Sequence, residues 1–414
     1  MSSSNDRKIY SRTYDFQLTV NGIDYSNELE NVRITSTLSS AWPIISLKLF
    51  IDPKKILQDN LHGQDDITLK IRLVGYDEHE IEKTIFKLIC LKPDSHVSPT
   101  IQMENESQYN RTPMTLLTVP KDSYHTMTAN VNSIFGGLDQ PMSLKDATQT
   151  ILTQTGSSAK LVYDSNGENT DKISQVCIYP TTVYNTLLYL DETFGSHSGC
   201  PAIYCRYNNE LHIINLSDRI KKAPVMVITY MSSDKKENMD IIKKSNDGTY
   251  YYSYSPVKSQ QKTNTVFAKL GKTIKHVIKP KDKLYDVLQH DVESICKDYG
   301  AVSGSSQIFS NNSIDREKYY SDDTGYENSD TFIKSKIAKQ VFALSSITLE
   351  MEQSLIIKNL LNVGECVKFK TDTVEYMDLS GNYILYFTDI KWNRNGKEWT
   401  TICKVKLVRT NKSK

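Results

Sequence analysis

The sequence predicts an α+β fold that is mainly β, with two related β-domains set around inserted α+β and helical segments. Three observations carry this. Residues 345–410 alternate apolar and polar side chains with period two, the pattern of half-buried strands. Residues 45–73 run through the same succession of features. Apolar positions at helical spacing are confined to a few segments between these two stretches.

Taken in order, residues 1–13 are polar and read as a flexible lead-in. Phe16, Leu18 and Val20 alternate, and Asn21-Gly22 turns the chain. Val32, Ile34 and Ser36 make a second strand and Ile45–Phe50 a third. Asp52-Pro53 opens a short helix, with Asp as N-cap and Pro at the first helical position. Strands at Ile67–Val74 and Thr84–Leu91 complete a set large enough for a small barrel or sandwich. From about residue 100 the pattern weakens and 100–140 carries no clear assignment. Ser143–Thr155 reads as a helix, capped by Ser143 and stopped by Gly156. Thr181–Phe194 reads as a second, ending at Gly195, and Ala202–Arg206 and Leu211–Leu216 as a hairpin about Asn208-Asn209. Strands are predicted at Val225–Tyr230, Tyr250–Tyr254, Thr265–Leu270 and Thr273–Ile278. Leu284, Val287, Leu288, Val292 and Ile295 share a face and predict a helix over Lys283–Tyr299. Residues 301–334 are polar and rich in Ser, Asn and Asp, the composition of a partner-binding or disordered loop. Helical character near Phe332–Gln340 leads into strands at Ile347–Glu352, Glu365–Lys370, Tyr383–Trp392 and Trp399–Val408, an antiparallel meander.

The two-copy pattern is specific in its order. Each copy has a strand with apolar residues at alternate positions (Leu47, Leu49; Ile347, Leu349), then a short helical segment (Pro53–Leu61; Ser354–Leu361). That segment contains Asn-Leu (Asn60-Leu61; Asn359-Leu360), and Gly plus an acid follow (Gly63, Asp65; Gly364, Glu365), then an alternating strand. Repeats on this scale indicate duplicated structural units.

Composition bounds the function. The 414 residues suffice for two to four domains. The 50 Lys and Arg balance 49 Asp and Glu, which gives no overall basic field for nucleic acid. Seven scattered Cys offer no disulfide framework and fit a reducing compartment. No apolar run reaches membrane-spanning length, and Met1–Lys8 has no signal-peptide core. Tyr, at 25 against 11 Phe, suits half-wet surfaces and interfaces.

No motif supports catalysis. Gly271-Lys272-Thr273 resembles the end of a phosphate-binding loop, but Val266 stands where a Gly is required and a strand follows. In Gly195-Ser196-His197-Ser198-Gly199 the third residue is His, so no serine occupies a nucleophile elbow. His197, Cys200, Cys205 and His212 lack zinc-ligand spacing. Asp77-Glu78-His79-Glu80 falls at a hairpin tip, where a solvated turn is expected. Lys269, Lys272, Lys275, His276, Lys279, Lys281 and Lys283 form a basic run that partly alternates with apolar residues, as on a solvated strand face; an acidic protein is its next best partner and nucleic acid the last. The expectation is no catalytic residue, no cofactor and no metal.

Four regions together resemble a known family: Asn21-Gly22 with Leu47–Leu57; Leu144–Ala147 and Tyr189–Glu192 with Ile214-Asn215-Leu216; Leu284–Leu288; and Ser380–Leu385 with Gly396–Trp399. The chain resembles the central baseplate hub proteins of contractile, T-even-like phage tails. That resemblance implies two similar tube-like antiparallel β-barrels per chain and a homotrimer. Six barrels then form a ring that meets the hexameric tail tube, or its initiator, on one side and the trimeric central spike on the other. The ring encloses a channel for DNA, passed without sequence-specific binding, and for the tape-measure protein; the baseplate wedge is a further partner. The implied place is the virion baseplate, assembled in the host cytoplasm, with a role in genome ejection and no enzyme activity. On this basis the chain divides into 1–13, a first barrel at 14–99, an inserted α+β domain at 100–222, a second barrel at 223–282 and 335–414, and a helix-plus-loop insertion at 283–334. The polar stretch 301–334 departs from the family pattern. Alternatives are the hub of a type VI secretion or extracellular injection spike, and a carbohydrate-binding β-module of the tail tip.

Overall fold

A computed structural model describes residues 12–410 except 53–54, 56–58, 60, 76–79, 96–110, 138–139, 174, 231–243, 246–247, 254–256, 262–272, 279–285, 292–293, 296–317, 323–329, 352–356 and 372. Among the described residues the chain is mainly β, with a fifteen-stranded sheet at its centre. Twelve of those strands are numbered here. The first six are β1 (Arg12–Val20), β2 (Leu29–Thr37), β3 (Ile44–Ile51), β4 (Asp66–Gly75), β5 (Glu80–Ser95) and β6 (Thr112–Pro120). The second six are β7 (Met226–Tyr230), β8 (Lys258–Gln261), β9 (Ser345–Met351), β10 (Cys366–Thr371), β11 (Gly381–Asn395) and β12 (Glu398–Arg409).

The two sets have one topology. The first half is ordered β2-β3-β6-β5-β4-β1 and the second β8-β9-β12-β11-β10-β7. Neighbours are antiparallel in both, except that β7 runs parallel to β10 where β1 is antiparallel to β4. The match extends to single hydrogen bonds. Gln64 N donates to Cys90 O and Cys90 N to Asp65 O; Gly364 N donates to Leu385 O and Leu385 N to Glu365 O. One residue later each fifth strand carries a bulge against the sixth, at Leu91 and at Tyr386. Counted from the bulges, Leu47 opposite Leu116 corresponds to Leu349 opposite Val405. The repeat is therefore real in strand order, but its first strand is offset by two residues from the sequence match of Leu49 with Leu349. Because strand side chains alternate, a shift of two keeps the same face inward, and the pattern alone does not expose it.

Alternation explains the cores. In β3 the residues Ile45, Leu47, Leu49 and Ile51 are buried, as are Ile67, Leu69, Ile71 and Leu73 of β4. In β9 and β12 the buried set includes Ile347, Leu349, Met351, Cys403, Val405 and Leu407, and both halves join in one core. Of the expected helix at Pro53–Leu61, Lys55 and Asp59 are helical and the rest lies outside the described residues, save Leu61, which is not helical. Its counterpart in the second half is the helix Ile357–Leu361.

Between β6 and β7 lies the inserted domain, with α1 (Lys121–Thr128), α2 (Leu144–Gln154), α3 (Val183–Phe194) and α4 (Leu216–Arg219). Ser143 caps α2 by accepting from Asp146 N, and Gly195 ends α3 at φ 72°. The hairpin Pro201–Cys205 and Glu210–Asn215 forms as expected, and Lys160–Tyr163 pairs in parallel with its second strand. These elements enclose a second core around Ile151, Leu187, Phe194 and Ile213. Later come α5 (Asp330–Val341) and α6 (Ile357–Leu361).

Several expectations are corrected. The first barrel does not end at 99: β6, at 112–120, pairs with both β3 and β5. Its register partners, not its own sequence, place it there. The helix expected over Lys283–Tyr299 is replaced at Asp286–Asp291 by a strand antiparallel to Thr273–Ile278. Short apolar runs fit both periods, and a β-branched partner strand decides for the ladder. Thr273–Ile278 itself belongs to a separate three-stranded sheet with Asp286–Asp291 and Lys318–Asp322, not to the second barrel. That sheet and α5 fall between β8 and β9, the position a six-residue turn occupies between β2 and β3. The strand expected at Thr265–Leu270 lies outside the described residues.

Candidate functional site

The residues weighed for catalysis are dispersed or structural. His197 is buried, with Nε2 on the Asp164 carbonyl at 2.8 Å and Nδ1 3.2 Å from Ser196 Oγ. Burial lowers its pKa. Ser196 Oγ donates to Asp191 Oδ1 at 2.6 Å, so its hydroxyl serves the turn after α3. His212 stacks on Tyr204 with centroids 5.2 Å apart, and burial, then the nearby Arg206 charge, lower its pKa to about 4. Burial likewise pushes the Cys200 and Cys205 thiols up to about 12. Among the described residues no group of three or more His, Cys, Asp and Glu is placed to hold a metal ion. Asp77-Glu78-His79 and Gly271-Lys272 lie outside the described residues; Glu80 starts β5 and is exposed. Of the basic run, Lys275 and His276 lie on the strand Thr273–Ile278, and the lysines at 269, 272, 279, 281 and 283 are outside the described residues. No described helix is long and apolar enough to cross a membrane.

What the structure does assemble is a pair of seams. The first joins the two barrels. Beyond its bulge, β11 leaves β10 and pairs with β2 of the other half, from Phe387 opposite Thr37 to Asn393 opposite Asn31. One strand thus serves both barrels. Trp392 is fully buried, 5.7 Å from the Tyr14 ring and 5.8 Å from Phe16, and Trp399 of β12 lies 4.3 Å from Phe16. The tip of the β11–β12 hairpin therefore spans from β2 to β1 and fills the first barrel's core. On the outer side Arg33 makes two hydrogen bonds to Asp389, of 2.7 and 2.9 Å. Glu82 of β5 is buried and accepts from Ile357 N at 2.7 Å and Lys358 N at 2.9 Å, satisfying free N–H groups at the start of α6. Burial raises the Glu82 pKa, and those two amides temper the rise.

The second seam ties the inserted domain to the second barrel. Tyr204 Oη donates to Val363 O at 2.6 Å. Glu365 receives Arg206 at 2.5 Å and Arg219 at 3.1 Å, and Arg219 also makes two bonds to Asp164. Burial raises the Asp164 carboxyl, but the Arg219 guanidinium holds it below the usual aspartate range. Gly364 has φ 86°, and a Cβ there would stand 2.7 Å from Tyr204 Oη; only glycine fits. Asp191 receives Lys339 of α5 at 2.5 Å. Gly364 and Glu365 are legible in the sequence as repeat markers; that the acid gathers two arginines depends on partners about 150 positions away and leaves no local signal.

Comparison with known proteins completes the picture. No protein-family model and no curated protein matches the chain. A tail protein from Neisseria meningitidis matches in structure with TM-score 0.57 and 12% identity, covering 96% of each chain. The 43 kDa tail protein of prophage MuSo2 from Shewanella oneidensis matches with TM-score 0.54 and 9% identity, over 96% of this chain and 97% of that one. The chain has the tail-protein fold. A component of the type VI secretion system of E. coli is more distant, at TM-score 0.45 and 8% identity, covering 95% of this chain and 77% of that one. The tail-protein fold agrees with the mainly β, two-barrel architecture expected from the sequence.

Proposed function

We propose that this chain is the structural hub of a contractile-tail baseplate, a trimeric adaptor between a hexameric tail tube and a trimeric central spike. The observation that carries the reading is the shared strand order of the two halves. A three-fold assembly of such chains presents six near-equivalent barrels, so one face meets six-fold symmetry while the chains themselves keep three-fold symmetry. The ring would surround the passage for DNA and the tape-measure protein, and the work is mechanical, without catalysis. The tail-protein fold supports this reading, and with it a location in the virion tail.

The test is the mass of the purified chain at micromolar concentration, alone and mixed with the spike protein from the same source. A trimer in either sample, with six-fold features in averaged end-on electron-microscopy views, is the expected outcome. A monomer in every mixture overturns the proposal.

A further inference from the structure

The internal seam is head-to-tail. The first half contributes its second strand, β2, and the second half its fifth, β11. Among the described residues each half therefore keeps one seam-forming edge unpaired. On β5, pairing with β4 stops at Ile89, so the side of Lys92–Ser95 away from β6 has no strand partner among the described residues. On β8, pairing among the described residues is to β9 alone. These two edges are the counterparts of β11 beyond its bulge and of β2.

We infer that β5 of one chain pairs with β8 of a second copy of the same chain, repeating between chains the seam found within one. This rests on the trimeric reading above and specifies how the ring closes. Register follows from the matched bulges: Asp94 corresponds to Asp389, and Gln260 to Thr35, so Asp94 falls opposite Gln260 and Ser95 opposite Ser259. Two observations favour a second copy as the occupant. Leu91 and Leu117, beside the β5 edge, are 39% and 38% exposed, whereas Tyr386 and Lys406 at the matching places beside the internal seam are half-buried. Charge is also matched. Arg33 and Asp389 pair across the internal seam, and the corresponding positions carry Lys258 and Asp94. Pro93 offers no N–H, so the seam between chains has one ladder donor fewer than the internal one. A head-to-tail contact repeated by identical chains closes into a ring when the rotation permits.

The experiment uses full-length chains in a Cys177→Ser, Cys296→Ser background. One carries Asp94→Cys and another Gln260→Cys; they are mixed, oxidised and run without reductant. Directly opposed strand positions lie within disulfide reach and diagonal ones largely do not. The expected result is a covalent dimer in the mixture, absent from either chain alone, and at least tenfold weaker when Lys258→Cys replaces Gln260→Cys. The internal pair Thr35→Cys with Asp389→Cys in one chain calibrates the yield. With Asp94→Cys and Gln260→Cys on the same chain, a closed covalent trimer is expected. Trimers by mass without the in-register cross-link overturn this seam and leave the hub reading standing. Covalent rings of another size support the seam and overturn the trimer. Monomers overturn both.

Discussion

The two seams of this chain join domains by opposite means. Between the barrels the contact is a continuation of the sheet, with a buried Trp392 at its centre, a buried Glu82 that caps α6, and the Arg33–Asp389 pair on its outer side. Between the inserted domain and the second barrel the contact is ionic, centred on Glu365 with Arg206 and Arg219. The difference teaches where each domain gains its order. The first barrel is completed by burial and backbone pairing, which vary little with salt; its pH response comes from the buried Glu82. The inserted domain is oriented by charges whose benefit depends on every partner being present.

The largest effect is expected at the first seam. Trp392→Ala removes a fully buried indole whose Nε1 has no hydrogen-bond partner among the described residues, so the loss is one of packing. Destabilisation of about 4 kcal/mol is expected, read as a lowered urea midpoint. If the variant unfolds like the parent, β11 does not complete the first barrel. The second seam comes next. Glu365→Gln leaves Arg206 and Arg219 without their shared carboxylate, at about 3 kcal/mol. Hydrogen exchange should speed up in α1–α4 while β1–β6 keep their protection; uniform acceleration would show that the seams are not separable.

Titration separates the seams in sign. Glu82 has a folded pKa above its ordinary 4.5, so the folded state binds that proton more tightly. Stability should therefore rise as pH falls through the folded value, and level off below 4.5. Asp164 has a folded pKa below its ordinary 3.8, so its contribution is present above 3.8 and lost as pH falls through the folded value. Midpoints measured from pH 6 to 2.5 should lose the rise in Glu82→Gln and lose the later fall in Asp164→Asn. The smallest effect belongs to Arg33→Ala. Arg33 is 53% exposed, and about 0.5 kcal/mol is expected, vanishing in high salt; a loss above 2 kcal/mol would mean the outer face of the seam matters as much as Trp392.

Much of this was legible in the sequence because the signals were local. Alternation located most of the twelve barrel strands, and Ser143, Gly156 and Gly195 marked helix ends by capping chemistry. The duplication was visible as well, two residues out of step in one strand. What escaped is set by distant partners. Thr112–Pro120 reads weakly alone and becomes a central strand because β3 and β5 flank it. Glu82 looks like one more charge on an alternating strand, yet it caps a helix some 275 positions on. Lys283–Tyr299 has good helical spacing and was still drawn, at Asp286–Asp291, into a ladder. Periodicity reports which face is buried; it does not report against what.

The hairpin that spans from β2 to β1 has a consequence for how the protein is made. Trp392 and Trp399 leave the ribosome some 375 residues or more after Tyr14 and Phe16, the rings they pack against. The amino-terminal barrel, although contiguous in sequence through Pro120, has no finished interior while the nascent chain is shorter than about 400 residues. Termination before Trp392 therefore yields no sealed first barrel to compete for assembly.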